Sequence, residues 1–178
     1  MGAVYGQVWR TADGARTDDY VHVFSSHFRH PDAGSCGEDP QGIALRQWIA
    51  EVASDGRPTV VIGDLNTIVE DSVDPKIQAH GSYQSVLMPH HMAAWRQAGF
   101  VDAYRAVYPS TATHPGMTST RHGGPYYGGL WKRIDYALVK GAVVTGAQLF
   151  NERTEGNGSV YNCAPSDHAG IVVTAAGP

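Results

Sequence analysis

The sequence predicts a single α+β domain made mainly of short strands and turns, with few helices. The chain has 178 residues, of which 42% are hydrophobic, so it is long enough to bury one core. It contains 21 glycines and 10 prolines, a content that favours turns between strands over long helices. Short β-branched and aromatic runs recur along the chain, whereas only two segments show helical periodicity.

The first half of the chain opens with a predicted hairpin. Its two apolar runs flank the polar stretch 11–19, in which Asp13 and Gly14 form a frequent turn pair. A helix follows where apolar residues recur at spacings of three and four, and a short buried strand comes after it. The predicted elements are strands at 3–9 and 20–28, a helix at 43–53 and a strand at 59–62.

The second half contains one more helix, a long polar segment and three strands. Pro89 is suited to the first turn of the helix and Gly99 lies past its end. Residues 109–129 are rich in Thr, Ser, Gly, Pro and His and are predicted to form a surface excursion. The predicted elements are a helix at 89–97, a mixed segment at 100–108, and strands at 133–139, 143–150 and 169–174.

The charge balance excludes a surface that is basic overall. The formal net charge is −4, with 17 acidic and 13 basic residues. Duplex DNA is held through many lysines and arginines, so the chain has no strong duplex-DNA signature and must bind any polyanion locally. The chain contains no apolar run of roughly 18 residues, so its sequence predicts no transmembrane segment. Cys36 and Cys163 fit no metal-binding spacing, and a disulfide between them is neither required nor excluded.

Two short polar segments predict a catalytic site. Asp64 and Asn66 follow the apolar run 60–62, and Asp167 and His168 precede the apolar run 171–173. An ionised carboxylate at the end of a buried strand needs a cation, a hydrogen-bond network or both. This pattern favours a metal-assisted phosphoester site.

Each candidate also has a purely structural interpretation. His27 ends the second predicted strand and on its own would be a structural histidine. Asp64 and Asn66 are also compatible with a turn whose side chains bond their own backbone. Asp135, inside an apolar strand, would pair with Arg133 or else orient an imidazole, for which His168 is the candidate.

Several motifs in order carry a family resemblance. Gly-Asp-Leu-Asn at 63–66, Arg-Ile-Asp-Tyr at 133–136 and Ser-Asp-His at 166–168 strongly resemble the endonuclease/exonuclease/phosphatase superfamily. Ser26 and His27 are similar to an element of the branch that includes pancreatic-type deoxyribonucleases, bacterial sphingomyelinases and inositol-phosphate phosphatases. Gly-Met-Thr at 116–118 resembles the substrate-side threonine segment of that superfamily.

The resemblance implies a fold, a reaction and a set of roles. The fold is an α-β-β-α sandwich of two mixed sheets with outer helices, and the reaction is hydrolysis of a phosphodiester or phosphomonoester by activated water. The implied cofactor is Mg²⁺, with Mn²⁺ or Ca²⁺ as alternatives. The implied catalytic residues are His27, Asp64, Asn66, Asp135 and His168. The implied metal ligands are Asp64, Asn66 and Asp167, and the implied substrate contacts are Asn66, Thr118 and Arg133.

One departure from the family pattern concerns the start of the chain. Family members carry an earlier strand with an asparagine and a Leu-Gln-Glu type segment whose glutamate binds the metal, and no glutamate of this chain stands in such a position. We therefore expect residues 1–178 to be one domain, the C-terminal part of such a fold, without its first strands. The alternative function is that of a catalytically impaired fragment or a non-enzymatic scaffold.

The natural substrate stays open at this point. Nucleic acid, a phospholipid head group and an inositol or sugar phosphate are all compatible with the sequence. Basic and aromatic residues around the presumed cleft would contact phosphate or a ring, or would only solvate a loop. The compartment is also open, although extracellular enzymes are common in the branch that has the Ser-His element.

Overall fold

The computed structural model describes residues 2–29, 39–69, 87–120, 130–150 and 168–177. Its helices are α1 (Pro40–Val52), α2 (Pro89–Gln97) and α3 (Ala103–Val107). Its strands are β1 (Gly2–Ala12), β2 (Ala15–His27), β3 (Thr59–Asp64), β4 (Val101–Asp102), β5 (Ser119–Thr120), β6 (Leu130–Lys132), β7 (Asp135–Lys140), β8 (Val143–Phe150) and β9 (Gly170–Ala176).

The predicted hairpin is present and is longer than the sequence indicated. Asp13 and Gly14 both have positive φ, 51° and 78°, which is the backbone of a tight hairpin turn. The polar stretch 11–19 was expected to be a loop, but most of it is strand, and Ala12 pairs directly with Ala15. Two turn residues are therefore enough to connect β1 and β2, since this turn type matches the twist of the strands.

Five strands form one mixed sheet in the order β1-β2-β3-β7-β4. Strands β2 and β3 are parallel and are connected through α1, while β3 and β7 are antiparallel. One face of this sheet packs against α1 and α2 through the main apolar core. The buried members of that core include Phe24, Val61, Leu138, Leu45, Ile49 and Trp95.

The other face of the sheet carries a second, smaller sheet. Strands β8 and β9 pair antiparallel. Ala137 and Val139 of β7 are buried there, against Ile171 and Val173 of β9. The predicted α+β architecture of two sheets with outer helices is confirmed.

A capping side chain and a proline set the start of helix α1, and the other helices lie near their predicted positions. Helix α1 starts three residues before the predicted 43, because the Asp39 side chain accepts from the Gln41 backbone N–H at 2.9 Å and Pro40 occupies the first turn. Helix α2 matches the predicted range. The mixed segment 100–108 contains the short elements β4 and α3.

The sequence predicts a surface loop over 109–129, and this prediction is wrong for some of the residues in that range that the structure describes. Thr118 is 0% and Ser119 3% exposed. The Thr118 backbone N–H donates to the Lys132 carbonyl at 3.0 Å, and the Ala169 N–H donates to the Thr118 carbonyl at 2.7 Å. Polar composition suggested exposure, but hydrogen bonds to β6 and to the start of β9 make burial of these residues favourable.

A polar network around the buried His22 lies beside the start of β3, at the end of that strand opposite to Asp64. The His22 ring is 1% exposed, and it bonds the Tyr5 hydroxyl at 2.9 Å through Nδ1 and the Asp55 carboxylate at 2.8 Å through Nε2. The Tyr20 hydroxyl donates to the same carboxylate at 2.6 Å. These hydrogen bonds hold the pKa of Asp55 well below its ordinary value. They tie the hairpin to the turn before β3.

Apolar side chains remain exposed on the edge strand β1. Val4 is 70% and Val8 61% exposed, on the face of the sheet that carries β8 and β9. Among the described strands, β1 pairs only with β2. An open edge with exposed valines favours association with another surface. None of the described helices has the length and apolarity needed to cross a membrane.

Candidate active site

Residues far apart in the sequence meet at one end of the large sheet. Asp64, the last residue of β3, lies directly opposite Asp135, the first residue of β7. His168 precedes β9 of the small sheet. Ligand atoms of these three side chains all lie within 4.8 Å of one another. We call Asp64, Asp135 and His168 the acidic centre.

Asp64 makes two close contacts, but its negative charge is unfavourable in this partly buried position. Its Oδ1 accepts from the Asn66 backbone N–H at 2.7 Å, and its Oδ2 lies 3.6 Å from His27 Nε2. Burial and then the nearby charge of Asp135 raise the pKa of Asp64 above its ordinary value. A carboxyl with a raised pKa stabilises the fold while protonated, and loses that contribution as the pH rises through its folded-state pKa. Ionised Asp64 therefore lowers stability at neutral pH unless a cation lies beside it.

Asn66 adopts a left-handed backbone conformation, with φ of 48°. Its side-chain Nδ2 donates to the Phe28 carbonyl at 2.7 Å, which ties the end of β3 to the end of β2. The turn expected from the sequence is therefore present. No described residue donates to the Asn66 side-chain Oδ1, so this oxygen is available to a ligand while the amide nitrogen stays fixed.

Asp135 orients the imidazole of His168. Its Oδ2 lies 2.8 Å from His168 Nδ1. An ionised carboxylate can only accept, so Nδ1 carries the hydrogen and Nε2 of the neutral ring presents its lone pair. The alternative partner for Asp135, the neighbouring Arg133, forms its ion pair with Asp102 instead. Of the two partners considered from the sequence, the structure places His168 and not Arg133 against the Asp135 carboxylate.

Arg133 lies beneath the site. It is 2% exposed, its guanidinium bonds Asp102, and it sits 4.6 Å above the ring of Tyr136. The Tyr136 hydroxyl in turn donates to the Thr67 carbonyl at 2.8 Å. At 2% exposure the side chain offers a substrate almost no surface to contact. In this conformation the side chain supports the segment that leads into β7.

The buried pair gives a prediction for stability. Arg133→Met leaves the carboxylate of Asp102, 8% exposed, without its cation, and we expect the free energy of unfolding to fall by roughly 3–5 kcal/mol. Urea denaturation measures this change, with the exposed Arg10→Met as the matched control. Adding Asp102→Asn to Arg133→Met should recover much of the loss, because asparagine removes the charge and keeps an oxygen that accepts from the backbone N–H groups of Tyr104 and Arg105. A loss below about 1 kcal/mol for Arg133→Met would contradict the role of the pair.

Thr118 contacts the acidic centre through the backbone. Its hydroxyl oxygen accepts from the backbone N–H of Ile134 at 3.2 Å and of Asp135 at 3.1 Å. Complete burial separates this hydroxyl from solvent. The predicted substrate contact of Thr118 is therefore not visible in this conformation, which instead shows the hydroxyl fixing the start of β7.

Two further candidates differ in how well they are placed. His27 pairs with Asp64 in the register of β2 and β3 and is 75% exposed, so it lies at the open rim of the acidic centre. Asp167 lies outside the described residues, as do Cys36 and Cys163.

Sequence reasoning missed Ser119, whose hydroxyl lies 3.4 Å from His168 Nε2. Its only sequence signal was its position directly after Thr118.

A sequence profile of the Endonuclease/Exonuclease/phosphatase family matches residues 4–168. The chain belongs to this family. The match includes every candidate site residue from His27 to His168, so the predicted superfamily is confirmed. Members of the family are hydrolases of phosphoesters and generally depend on divalent metals, and this chain is therefore assigned to a phosphoesterase family. Among proteins of curated function, none matches the sequence significantly.

Solved structures show the same fold at low sequence identity. A family protein from Leptotrichia buccalis C-1013-b is 19% identical with a TM-score of 0.50, over 97% of this chain and 53% of that one. The 3′ phosphatase NExo from Neisseria, bound to a product DNA hairpin, is 17% identical with a TM-score of 0.59, over 97% and 70%. An AP endonuclease from Archaeoglobus fulgidus is 17% identical with a TM-score of 0.57, over 87% and 61%. This chain thus spans about half the length of the first protein.

The donor atoms of the site fit a hard divalent cation. Asp64 supplies a carboxylate oxygen, Asn66 lies two residues away with its side-chain oxygen available, and the carboxylate of Asp135 adds negative charge close by. Mg²⁺, Mn²⁺ and Ca²⁺ prefer such oxygen ligands. Two carboxylates in direct register also repel each other unless positive charge lies between them. The chemistry of the residues present is therefore compatible with a metal-dependent family.

Proposed function

We propose that this protein hydrolyses a phosphoester with an activated water and a divalent cation, Mg²⁺ being the preferred metal. The observation that carries the proposal is the convergence of Asp64, Asp135 and His168, with the imidazole already hydrogen-bonded to a carboxylate. Burial of the carboxylates makes each charge effective, because water screens it less. This combination suits a reaction that develops negative charge on phosphoryl oxygens.

In the proposed mechanism His168 is the general base. Its Nε2 takes a proton from the attacking water, and the positive charge that then forms on the ring is stabilised by Asp135 at Nδ1. Asp135 also fixes the ring in the tautomer that leaves Nε2 ready to accept. Because the attacking and leaving oxygens lie on opposite sides of phosphorus in an in-line displacement, the leaving oxygen takes its proton from solvent, and Nε2 releases its proton to solvent after each turnover.

Three residues near the ends of strands would hold the cation. They are Asp64, Asn66 and, from the segment outside the described residues, Asp167. The bound cation would polarise a phosphoryl oxygen and offset the charge that develops on it. His27, exposed at the rim and 3.6 Å from Asp64, would donate to another phosphoryl oxygen.

We propose a nucleic acid phosphoester as the substrate class, with a short or single-stranded substrate favoured over a long duplex. A 3′ phosphatase bound to a product DNA hairpin and an AP endonuclease share this fold, which supports the choice without deciding it. The net charge of −4 disfavours extended contact with a duplex. Phospholipid head groups and inositol or sugar phosphates are the alternative substrates that the test must separate.

A substrate panel tests the proposal. The protein is incubated with a plain phosphodiester, single-stranded DNA, sphingomyelin and an inositol phosphate, each with Mg²⁺ and with excess chelator. We expect turnover of the phosphodiester and the DNA, lost on chelation and in Asp64→Asn, and retained in the exposed control Asp13→Asn. Turnover that survives chelation, or no turnover of any phosphoester, would contradict the proposed reaction.

Asp64→Asn also has an expected effect on stability that does not depend on turnover. The amide removes the repulsion with Asp135, so we expect the Tm without metal to stay the same or to rise. Mg²⁺ should raise the Tm of the unmodified protein and leave that of the variant unchanged. The control is Asp19→Asn, at an exposed pair with Arg10. Equal Mg²⁺-induced shifts in protein and variant would exclude Asp64 as a ligand.

A non-enzymatic scaffold is the second candidate. The observation that favours it is the open edge of β1 with its exposed Val4 and Val8, which is a surface suited to association. The presence of all three residues of the acidic centre argues against a scaffold, because a protein without catalytic function does not need an imidazole hydrogen-bonded to a carboxylate. The substrate panel separates the two candidates, since a scaffold turns over none of the substrates.

A further inference from the structure

The segment that carries Ser119 is attached directly to the segment that carries His168. The two residues form an antiparallel backbone bridge, and the Ala169 N–H donates to the carbonyl of Thr118 at 2.7 Å. On its other side, the Thr118 hydroxyl accepts from the Asp135 backbone N–H. The dipeptide 118–119 therefore contacts both members of the Asp135–His168 pair.

The Ser119 side chain reaches the nitrogen that the proposed mechanism uses. Its Oγ lies 3.4 Å from His168 Nε2, while Asp135 occupies Nδ1 at 2.8 Å. Ser119 is 3% exposed, whereas the His168 side chain is 28% exposed. The hydroxyl therefore approaches the imidazole from the protein interior, and the ring keeps an open side toward solvent.

The protonation pattern fixes the direction of this contact. Because the Asp135 carboxylate accepts the Nδ1 hydrogen, Nε2 of the neutral ring has only a lone pair to offer. The Ser119 hydroxyl is then the donor. A donor at Nε2 stabilises the neutral tautomer that a general base requires, and both ring nitrogens are restrained at once.

The length of the contact decides what role it can have. Hydrogen bonds between a nitrogen and an oxygen are normally about 2.7–3.2 Å long, so a contact of 3.4 Å is weak. A strong donor at Nε2 would compete with the attacking water, while a weak one can be displaced by it. The contact therefore restrains the ring in the substrate complex, costs little to break, and gives way only when the attacking water approaches Nε2.

We propose that Ser119 is a positioning residue that holds the imidazole of His168 through Nε2 until the attacking water takes its place. This inference rests on the proposed role of His168 as general base. Ser119 does not act as a nucleophile in place of water, because its hydroxyl is buried and a phosphorus atom has no line of approach to it. Its contribution is to reduce the orientations that the ring samples before reaction.

Three variants test the role of the hydroxyl. Ser119→Ala removes it, Ser119→Thr keeps a hydroxyl, and Ser54→Ala removes an exposed serine hydroxyl from the turn after α1 as the matched control. We expect Ser119→Ala to lower kcat by roughly 3- to 10-fold with KM within about 2-fold, as the loss of one weak hydrogen bond implies. Ser119→Thr and Ser54→Ala should stay within about 2-fold of the unmodified protein.

A second readout does not depend on activity. Nitrogen-15 spectra of the histidine side chains report hydrogen bonding at each ring nitrogen, and we expect the Nε2 resonance of His168 to move in Ser119→Ala and not in Ser54→Ala. Thermal melts of all variants identify any that fail to fold, and the Nε2 shift of the unmodified protein then shows whether a donor is present.

The outcomes separate this inference from the proposed function. An Nε2 resonance that does not move in folded Ser119→Ala would overturn the contact. A resonance that moves while kcat stays unchanged would overturn the positioning role, as would a folded Ser119→Thr as slow as the alanine variant. If the unmodified protein hydrolyses no phosphoester, the proposed function and the catalytic role of Ser119 both fail, and the spectra still report whether the contact exists.

Discussion

Replacement of His168 by alanine is expected to lower kcat for phosphoester hydrolysis by about 10²-fold or more. The imidazole is the only described ring that is hydrogen-bonded to Asp135, and its Nε2 is the proposed acceptor of the water proton. Because His168 is only partly buried, at 28% exposure, its removal leaves no large cavity and the fold should persist. Initial rates with a plain phosphodiester, at saturating substrate, measure the effect.

Two further variants make this result specific. Asp135→Asn keeps the shape of the side chain but favours the wrong tautomer of His168, so kcat should also fall strongly. His114→Ala, in an exposed loop where the ring stacks on Tyr108, should leave kcat within about 2-fold. Activity of His168→Ala within a few-fold of the unmodified protein would remove the residue from the proton transfer.

Gly63→Ala is expected to cause a large loss of stability. Gly63 has φ of 137°, a conformation that L side chains rarely adopt. A Cβ built at this position would lie 1.9 Å from the carbonyl oxygen of Ser26, so the backbones of β2 and β3 would have to separate. We expect the free energy of unfolding to fall by roughly 2–4 kcal/mol.

The matched control is Gly6→Ala on β1. Gly6 also lies in a strand, and a Cβ built there meets nothing within 4 Å. Urea denaturation of both variants compares the two positions directly, because each variant replaces a glycine by an alanine. Because His27 and Asp64 are the register pair next to Ser26 and Gly63, Gly63→Ala should also weaken metal binding. A loss for Gly63→Ala no larger than that for Gly6→Ala would show that the close approach does not constrain the strands.

The acidic centre could be predicted because its residues stand at strand ends that the sequence marks clearly. The apolar run before Asp64 and the apolar strand around Asp135 each locate a polar residue at a sheet end. The order of the motifs then indicated that His168 would join them. The structure brings these three side chains within 4.8 Å, as the motifs implied.

Contacts between distant segments were not predictable in the same way. Asp102 stands in a short strand with no motif, and only the fold brings it to Arg133. Neighbouring sequence suggested Asp135 as the partner of Arg133, because residues two apart on a strand share a face. A buried ion pair depends on three-dimensional burial, which a local pattern does not reveal.

The burial of Thr118 and Ser119 illustrates the same limit. Both lie in a stretch rich in polar and turn residues, which normally indicates exposure. Their backbone groups instead pair with Lys132 and with the start of β9, and the Thr118 hydroxyl accepts two further bonds. Polar residues can be buried wherever their hydrogen bonds are satisfied, and that satisfaction comes from partners far away in the sequence.

The most direct test of the central claim is where a paramagnetic cation binds. Mn²⁺ broadens the NMR signals of nuclei close to it, and the chain offers an internal control in His22, which is buried within β2 opposite the start of β3. The account predicts that substoichiometric Mn²⁺ broadens the imidazole signals of His168 before those of His22, and that Asp64→Asn abolishes the difference. Equal broadening of both histidines, or broadening at His168 that Asp64→Asn leaves unchanged, would contradict a cation site at the acidic centre.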